Sequence, residues 1–254
     1  MGLADLHIHS IHSPDGIASV PAILKHVAQN TDLDVIAITD HNSMAGVRQA
    51  LDLAPRYGVA VIPGCEVSTS EGHLLALFIE RLVPAGLSLA QTLRRVAAQG
   101  GLCVAPHPLA RGCHSLSLDA IRAALRDVSL ARTLAGVEVY NGGLIYTRRN
   151  LAVAAQARQL PTADIGASDS HVLHTIGQGS THFAGKTAAD LRRTLEMATT
   201  TALGGVGLGG LALLRSWAPR YLLRALGWAP WNSDPRRPIE YARVHHIMAQ
   251  RQLV

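Results

Sequence analysis

The sequence predicts an α/β fold, a distorted seven-stranded (β/α)7 TIM-like barrel with a C-terminal extension. Three observations support it. Short apolar segments alternate with longer amphipathic ones. Hydrophobic residues make up 48% of the 254 residues and aromatic residues only 4%, which is typical of parallel strands covered by helices. Finally, polar clusters lie at the C-terminal ends of the apolar segments, with His73 as the exception at the start of its segment. A closed barrel gathers such C-terminal ends on one face.

Seven short apolar segments have the length of strands. They cover residues 3–9, 34–39, 59–67, 73–79, 102–106, 136–140 and 163–168. The connection between 59–67 and 73–79 is too short for a helix, but most others are amphipathic. The repeated strand-then-helix order predicts a mostly parallel sheet, and we expect residues 172–185 to form a loop.

Six amphipathic stretches are predicted to be helices, most of them beginning at a capping residue. Ser19 caps the first, which runs to about Asn30, and the second runs from Ser43 to Tyr57 before Gly58. The remaining helices are one from Ser88 to Gly100-Gly101, one that starts at Ser117, one from Leu144 to Leu160, and one that Thr187 begins with Asp190 at the capping-box position.

The positive charge of the chain belongs to its C-terminal part. The formal net charge is +5, and residues 201–254 hold seven arginines and two acidic residues, whereas residues 1–200 balance. We therefore divide the chain into a barrel of residues 1–200 and an Arg/Trp-rich apolar extension of residues 201–254. Because the charge is confined to the extension, it is not a nucleic-acid signature of the whole protein.

The extension has three interpretations. It contains all three tryptophans, and its arginines alternate with leucine and aromatic residues. Its apolar run is too short to cross a membrane, and Pro219 would kink a helix there. It could pack under the barrel or into a partner copy in a homo-oligomer, make peripheral contact with a membrane, or stack on single-stranded nucleic acid.

Cysteine usage and the N-terminus predict a cytoplasmic location. Three cysteines without paired spacing argue against a disulfide framework and for a reducing compartment. Met1 leads directly into a predicted strand that carries candidate functional residues, so a cleavable signal peptide is not expected.

Nine potential metal ligands lie at ends of the predicted strands or in the next loop. Residues two apart on a strand point the same way, so His7 and His9 project together, as do Asp169 and His171. Without metal, such a gathering would leave several polar groups desolvated and unpaired. Imidazoles and carboxylates suit Zn, Mn or Fe, and this number of donors is enough for two or three divalent ions. The nine are His7, His9, Asp15, His41, Glu66, His73, His107, Asp169 and His171.

The order of these motifs resembles a known family. The motifs are Asp5-x-His7-x-His9 with Asp15, Thr39-Asp40-His41, Gly64-x-Glu66, His73 before an apolar strand, Pro106-His107-Pro108 and Ser168-Asp169-x-His171. As a set they resemble the PHP (polymerase and histidinol phosphatase) superfamily, from residue 3 to about 185. The resemblance implies a seven-stranded distorted barrel with a trinuclear site and metal-dependent phosphoester hydrolysis.

The resemblance also implies how the ligands are shared. Asp15 stands where many relatives have histidine, an exchange that keeps a ligand. No ligand position is lost, which argues against the degenerate, non-catalytic PHP domains of some polymerases. His7, His9, Glu66 and Asp169 would hold one ion, Glu66, His73 and His107 a second with Glu66 as the bridge, and Asp15, His41 and His171 the third.

Further residues are predicted to act in hydrolysis, in which a metal-bridging hydroxide attacks phosphorus. Glu66 and Asp169 are the catalytic ligands. Arg111 lies four residues after His107 and could clamp phosphate with its planar guanidinium. Asn141 ends a predicted strand on the same face and is expected to contact substrate or a ligand. Two histidines of the last loop, His174 and His182, could serve as acid, and His174 could also bind substrate.

We expect a phosphomonoesterase that acts on nucleotides or other small phosphorylated metabolites. The alternatives are a phosphodiesterase or exonuclease acting on oligonucleotides, and a metal-stabilised, non-catalytic binding module that the extension recruits to a membrane or partner. Amide hydrolysis on a metal barrel often uses a carboxylated lysine as the bridge. The only lysines, Lys25 and Lys186, lie in or at the start of a predicted helix, so Glu66 is the available bridge.

Overall fold

The computed structural model describes residues 1–110, 114–143, 147–157 and 159–204, with residues 215, 217–219, 221–223 and 226 of the extension. These residues form an α/β fold around a nearly closed, barrel-shaped sheet. The strands are β1 (Gly2–Ile8), β2 (Val35–Ile38), β3 (Ala60–Ser68), β4 (His73–Leu77), β5 (Leu102–Ala105), β6 (Leu134–Asn141), β7 (Ala163–Ala167), β8 (Gly179–Phe183) and β9 (Thr201–Gly204).

Seven α-helices lie between these strands in the described parts of the chain. They are α1 (Val20–Asn30), α2 (Ala45–Tyr57), α3 (Leu89–Ala97), α4 (Leu118–Arg126), α5 (Val128–Ala131), α6 (Thr147–Ala157) and α7 (Ala188–Glu196). The predicted capping box at Thr187 is present, since its hydroxyl accepts from the Asp190 amide and its own amide donates to the Asp190 carboxylate. Helix α5 was not predicted, and the predicted start of α6 at Leu144 lies outside the described residues.

Strand direction brings His73 to the same rim as the other candidate ligands. The sheet order is β7-β6-β5-β4-β3-β2-β1-β8-β9. Strands β1, β2 and β3 are parallel, as are β5, β6 and β7, but β4 is antiparallel to both of its neighbours. His73 therefore pairs with Ser68 at the C-terminal end of β3, although it begins its own strand.

The barrel nearly closes where β7 approaches β8. The Thr181 hydroxyl donates to the carbonyl of Gly166 (2.8 Å) and accepts from its amide (3.2 Å). The backbones approach so closely that a Cβ atom at Gly166 would lie 2.2 Å from the Ser180 carbonyl oxygen. A Cβ atom at Gly179 would lie 2.1 Å from the Ala167 carbonyl oxygen. Glycine is needed at both positions because backbone atoms cannot move aside cheaply.

Two apolar layers hold the barrel together. One lies between the sheet and the helices, where Ile23 and Leu24 of α1 pack with Ile36 and Ile38 of β2. The other gathers residues from the opposite faces of the strands, including Leu6 and Ile165, with Leu191 and Leu195 of α7. Burial on both faces explains why the strands read as continuous apolar runs.

The predicted count of seven strands is too low, because β8 and β9 were missed. We expected residues 172–185 to be a loop, but Gly179–Phe183 forms β8, antiparallel to β1. His182 is therefore in a strand, opposite Leu3, and not in a loop. The run Gly-Ser-Thr-His-Phe has little apolar character, so only pairing with β1 and β9 identifies it as a strand.

Strand β9 lies just past residue 200, so sheet pairing continues into the segment that we predicted to be the extension. Farther along, the Trp217 and Tyr221 rings stack with centroids 4.4 Å apart. Leu222 and Leu226 are exposed. Among the described residues, no helix is both long and apolar enough to cross a membrane.

Candidate metal centre

The nine predicted ligands meet at one rim of the barrel. Seven of them lie near the C-terminal end of a strand or just after it. His73 instead begins its strand, and Asp15 lies farther along the connection from β1 to α1. Every one of the nine belongs to at least one group of three residues whose donor atoms lie within 4.8 Å of one another. Residues far apart in sequence therefore form a single cluster, which we call the ligand cluster.

Glu66 lies at the centre of the ligand cluster and is 1% exposed. Its Oε2 atom is 3.2 Å from Nε2 of His7, 3.3 Å from Nε2 of His9 and 3.2 Å from Nδ1 of His41. Its Oε1 atom is 2.9 Å from Nδ1 of His73 and 3.2 Å from Nε2 of His107. The two oxygens thus face different groups of imidazoles, as a carboxylate between two cations would.

Two more carboxylates flank this centre. Oδ1 of Asp169 is 3.3 Å from Nε2 of both His7 and His9. Oδ2 of Asp15 is 3.2 Å from Nε2 of His41 and 3.1 Å from Nε2 of His171. His41 thus faces Asp15 with one nitrogen and Glu66 with the other, so either nitrogen could serve as a metal ligand.

Charge coupling within the cluster shifts the pKa values of its groups. Burial raises the pKa of Glu66, but the imidazoles of His7 and His107 outweigh burial and hold it well below its usual range. Burial lowers the pKa of His171, but its hydrogen bond to Asp15 raises it to about 9. Burial and the charge of His171 lower the pKa of His9 to about 4. A bound cation would displace the extra proton of His171, because metal ligands must be deprotonated.

The imidazoles are oriented as metal-ligating imidazoles usually are. A ligand histidine commonly has one ring nitrogen toward the ion and the other hydrogen-bonded to an oxygen. Four histidines that direct Nε2 into the cluster have such an oxygen at Nδ1. The partners are Oε1 of Glu138 for His7 (2.8 Å), Oγ of Ser13 for His9 (3.2 Å), Oγ of Ser115 for His107 (2.9 Å) and the Asp169 carbonyl for His171 (2.8 Å).

The donor set and its orientation fit divalent transition metals. Imidazole nitrogens and carboxylate oxygens at this density suit Zn, Mn or Fe. Two of the ligands also have left-handed backbone, with φ of 32° at His107 and 50° at Asp169. Non-glycine residues in this region are strained, and such strain is concentrated at functional sites.

Glu138 is a site residue that was not predicted from the sequence. This residue is 1% exposed in β6, where it contacts His7 and also accepts from the His107 amide at 2.8 Å. The available signal was an acidic residue inside the apolar run Val137-Glu138-Val139, which is rare without a partner. Asp5 is similar, since burial raises its pKa to about 6 and it accepts from the amides of Ser168 and Gly177.

Of the residues predicted to bind substrate or supply a proton, Asn141 contacts the ligand cluster. The buried amide of Asn141 donates to Oε2 of Glu138 (2.8 Å) and to Oδ2 of Asp169 (3.4 Å), so it contacts a candidate ligand. His174 is exposed in a short 3-10 turn. Burial, and after it the proximity of His174, lowers the pKa of His26 in α1. Arg111 lies outside the described residues.

The barrel and its rim of imidazoles and carboxylates suit a metal-dependent enzyme, and comparison of the sequence with known families assigns the family. The model of the PHP domain family matches residues 5–150, and the model described as PHP-associated matches residues 147–200. The chain belongs to the PHP domain family and is a metal-dependent phosphoesterase.

Known relatives differ in what their names say. An uncharacterized protein of Methanocaldococcus jannaschii is 36% identical over 172 residues, which cover 62% of this chain and 93% of that protein. A 5'-3' exoribonuclease of Haemophilus influenzae is 25% identical over 259 residues, covering 98% of this chain and 82% of that protein. A 3',5'-nucleoside bisphosphate phosphatase of Chromobacterium violaceum is 33% identical over 89 residues, covering 34% of this chain and 30% of that protein.

The fold also has solved counterparts. A two-domain protein of Bacteroides vulgatus, which contains a predicted PHP-like metal-dependent phosphoesterase, superposes with a TM-score of 0.64 at 19% identity. The match covers 86% of this chain and 69% of that chain. At this identity, the similarity concerns the fold.

Proposed function

We propose that this chain hydrolyses phosphomonoesters and that its substrates are nucleotides or other small phosphorylated metabolites. The observation that carries the proposal is the position of Glu66, whose two carboxylate oxygens face two different groups of imidazoles 2.9 to 3.3 Å away. This arrangement suits two cations side by side, which is the requirement for clamping both the attacking and the leaving oxygen of a phosphoryl group.

The ligand cluster would hold two or three divalent ions of Zn, Mn or Fe. Bound there, the ions would lower the pKa of a water molecule to give a hydroxide nucleophile, and they would neutralise charge on the phosphoryl oxygens. The protein orients its ligands in turn: Ser13 and Ser115 hold the rings of His9 and His107. Asn141 donates to Asp169 and limits where that carboxylate can turn. We further propose that Arg111 binds the phosphate and that His174 binds substrate or supplies a proton.

Nucleotides are the favoured substrate class. Two relatives support this class by their names, one a 3',5'-nucleoside bisphosphate phosphatase and the other a 5'-3' exoribonuclease. The second candidate function is 5'-3' exonucleolytic cleavage of an oligonucleotide. It is favoured by the extent of the exoribonuclease match, which includes 98% of this chain.

One experiment tests both candidates. The protein is purified without chelator, its bound metals are counted by elemental analysis, and the same sample is assayed on nucleoside mono- and bisphosphates and on 5'-phosphorylated RNA oligonucleotides. We expect two or three ions per chain and monoester hydrolysis that chelation abolishes and Mn²⁺ or Zn²⁺ restores. Cleavage of the oligonucleotide alone would favour the second candidate. A folded protein without bound metal and without activity would refute the proposed site.

A further inference from the structure

We propose that Glu138 is the positioning residue of the metal centre: one buried carboxylate that sets the orientation of ligands from three different strands. The inference rests on the proposed ligand set. Strand β6 contributes none of the nine ligands, yet Glu138 projects from it into the ligand cluster with its side chain fully buried.

The two oxygens of Glu138 contact different ligand residues. Oε1 is 2.8 Å from Nδ1 of His7, whose Nε2 faces Glu66 and Asp169. With a metal ion on Nε2, the ring proton would be on Nδ1 and would be donated to Glu138. Oε2 accepts from the backbone amide of His107 at 2.8 Å. This second contact holds the main chain at the strained position that directs the His107 ring toward Glu66.

The Oε2 atom also acts on a third ligand through Asn141. The Asn141 amide nitrogen lies 2.8 Å from Oε2 and 3.4 Å from Oδ2 of Asp169. Glu138 therefore fixes the side-chain amide that limits the rotation of Asp169. In this way, a single carboxylate on β6 orients ligands that lie in or just after β1, β5 and β7.

Glutamine at this position is the sharpest test because it has the same shape but only one acceptor end. In one orientation its NH2 group would face the His107 amide, donor against donor. In the other orientation it would donate to Nδ1 of His7, which would move the ring proton to Nε2, the atom that faces the cluster. Both orientations disturb one ligand.

Aspartate separates positioning from charge. Glu138→Asp keeps the negative charge but is one methylene shorter, so it cannot maintain the contacts to His7 and His107 together. Glu196→Gln serves as the matched control, since Glu196 is an exposed residue of α7 that pairs with Arg192. All four proteins, including wild type, are stripped of metal and titrated with Zn²⁺ and with Mn²⁺, and unfolding midpoints are recorded before and after loading.

We expect Glu138→Gln and Glu138→Asp to bind metal about 10- to 100-fold more weakly, as is usual when a group that orients a ligand is lost. The Glu196→Gln control should bind as wild type does. Wild-type metal affinity in Glu138→Gln would overturn the proposal. Wild-type metal affinity in Glu138→Asp would overturn the positioning role, because it would show that only the negative charge of Glu138 matters. A wild type that binds no metal would overturn both this inference and the proposed function.

A measurement on the wild type covers the case in which the variants do not fold. In the Zn²⁺-loaded protein, ¹⁵N-labelled histidine distinguishes a protonated Nδ1 from a metal-bound one. We expect His7 to have a protonated Nδ1 and Nε2 bound to Zn²⁺. Zn²⁺ at Nδ1 of His7 would contradict the role of Glu138 directly.

Discussion

The indole nitrogen of Trp217 donates a hydrogen bond of 3.1 Å to the main-chain carbonyl of Asp15. Asp15 is a candidate ligand, and its carboxylate faces His41 and His171. The extension is thus attached to the loop that completes one side of the ligand cluster. This contact favours a part for the extension in the site.

Replacement of Trp217 tests that part. Trp217→Phe keeps an aromatic ring that can stack on Tyr221 but removes the donor to Asp15. We expect a several-fold loss of turnover and weaker retention of the most labile ion, because a hydrogen bond contributes about 0.5–1.5 kcal/mol. Steady-state kinetics and metal counting after dialysis would show this. Tyr221→Phe, which leaves the donor intact, is the control, and equal effects of the two variants would contradict the prediction.

The central position of Glu66 predicts a severe phenotype. Glu66→Gln should lose bound metal and at least 100-fold in turnover, because an amide offers one acceptor where the carboxylate faces five imidazoles. Elemental analysis and the phosphatase assay measure the two effects on one sample. Glu71→Gln controls for the loss of a charge, because Glu71 is an exposed glutamate of the turn between β3 and β4 whose carboxylate accepts from the Leu89 amide at the start of α3. Undiminished turnover in Glu66→Gln would refute our site assignment.

The metal-free protein should lose stability as the pH rises. The pKa of His171 is about 9, above the ordinary value of roughly 6.5, so the protonated ring stabilises the fold. This contribution is complete below about pH 6.5 and is lost as the pH rises through about 9. Unfolding midpoints of chelated protein should therefore fall between these values. Metal-loaded protein should lack this fall, since the cations replace the protons, and parallel curves would speak against the cluster as described.

Closure of the barrel predicts an intolerant glycine. Gly179→Ala would place a methyl group 2.1 Å from a backbone oxygen, and we expect a loss of roughly 3 kcal/mol, the upper end for overpacking. Gly86→Ala meets no atom within 4 Å and should cost only the strain of its positive φ, about 1–2 kcal/mol. Chemical denaturation of the metal-loaded proteins compares them. Equal losses would show that the close approach of β7 and β8 is not needed.

Exposed leucines in the extension allow a test of the prediction that it contacts a membrane surface. Leu222, Leu223 and Leu226 are 58%, 43% and 65% exposed in a segment that also carries Arg215. If the segment lies at a bilayer surface, the full chain should sediment with anionic vesicles and a Leu222→Ser, Leu226→Ser double variant should not. Absence of the wild type from the pellet would exclude this role. Gel filtration of the same proteins would test the predicted homo-oligomer.

The sequence was informative where one local rule decided the outcome. The seven predicted strands and six predicted helices are present among the described residues, because each has an apolar period or a cap of its own. The candidate ligands could be proposed because metal donors placed after apolar strands are rare by chance. His73 was an exception in the pattern, and the antiparallel direction of β4 accounts for it.

Other features depended on groups that meet only in the folded chain. Strand β8 has little apolar signal and exists through its pairing with β1 and β9. The role of Glu138 depends on a histidine 131 residues away, and that of Trp217 on a loop 202 residues away. By itself, the sequence determined the fold class, the candidate ligands and the family resemblance, since these follow from local pattern. The tertiary structure alone decided the strand count, which imidazoles each oxygen of Glu66 faces, and the oxygen that His7 has at Nδ1. Contacts between segments far apart in the sequence set all three.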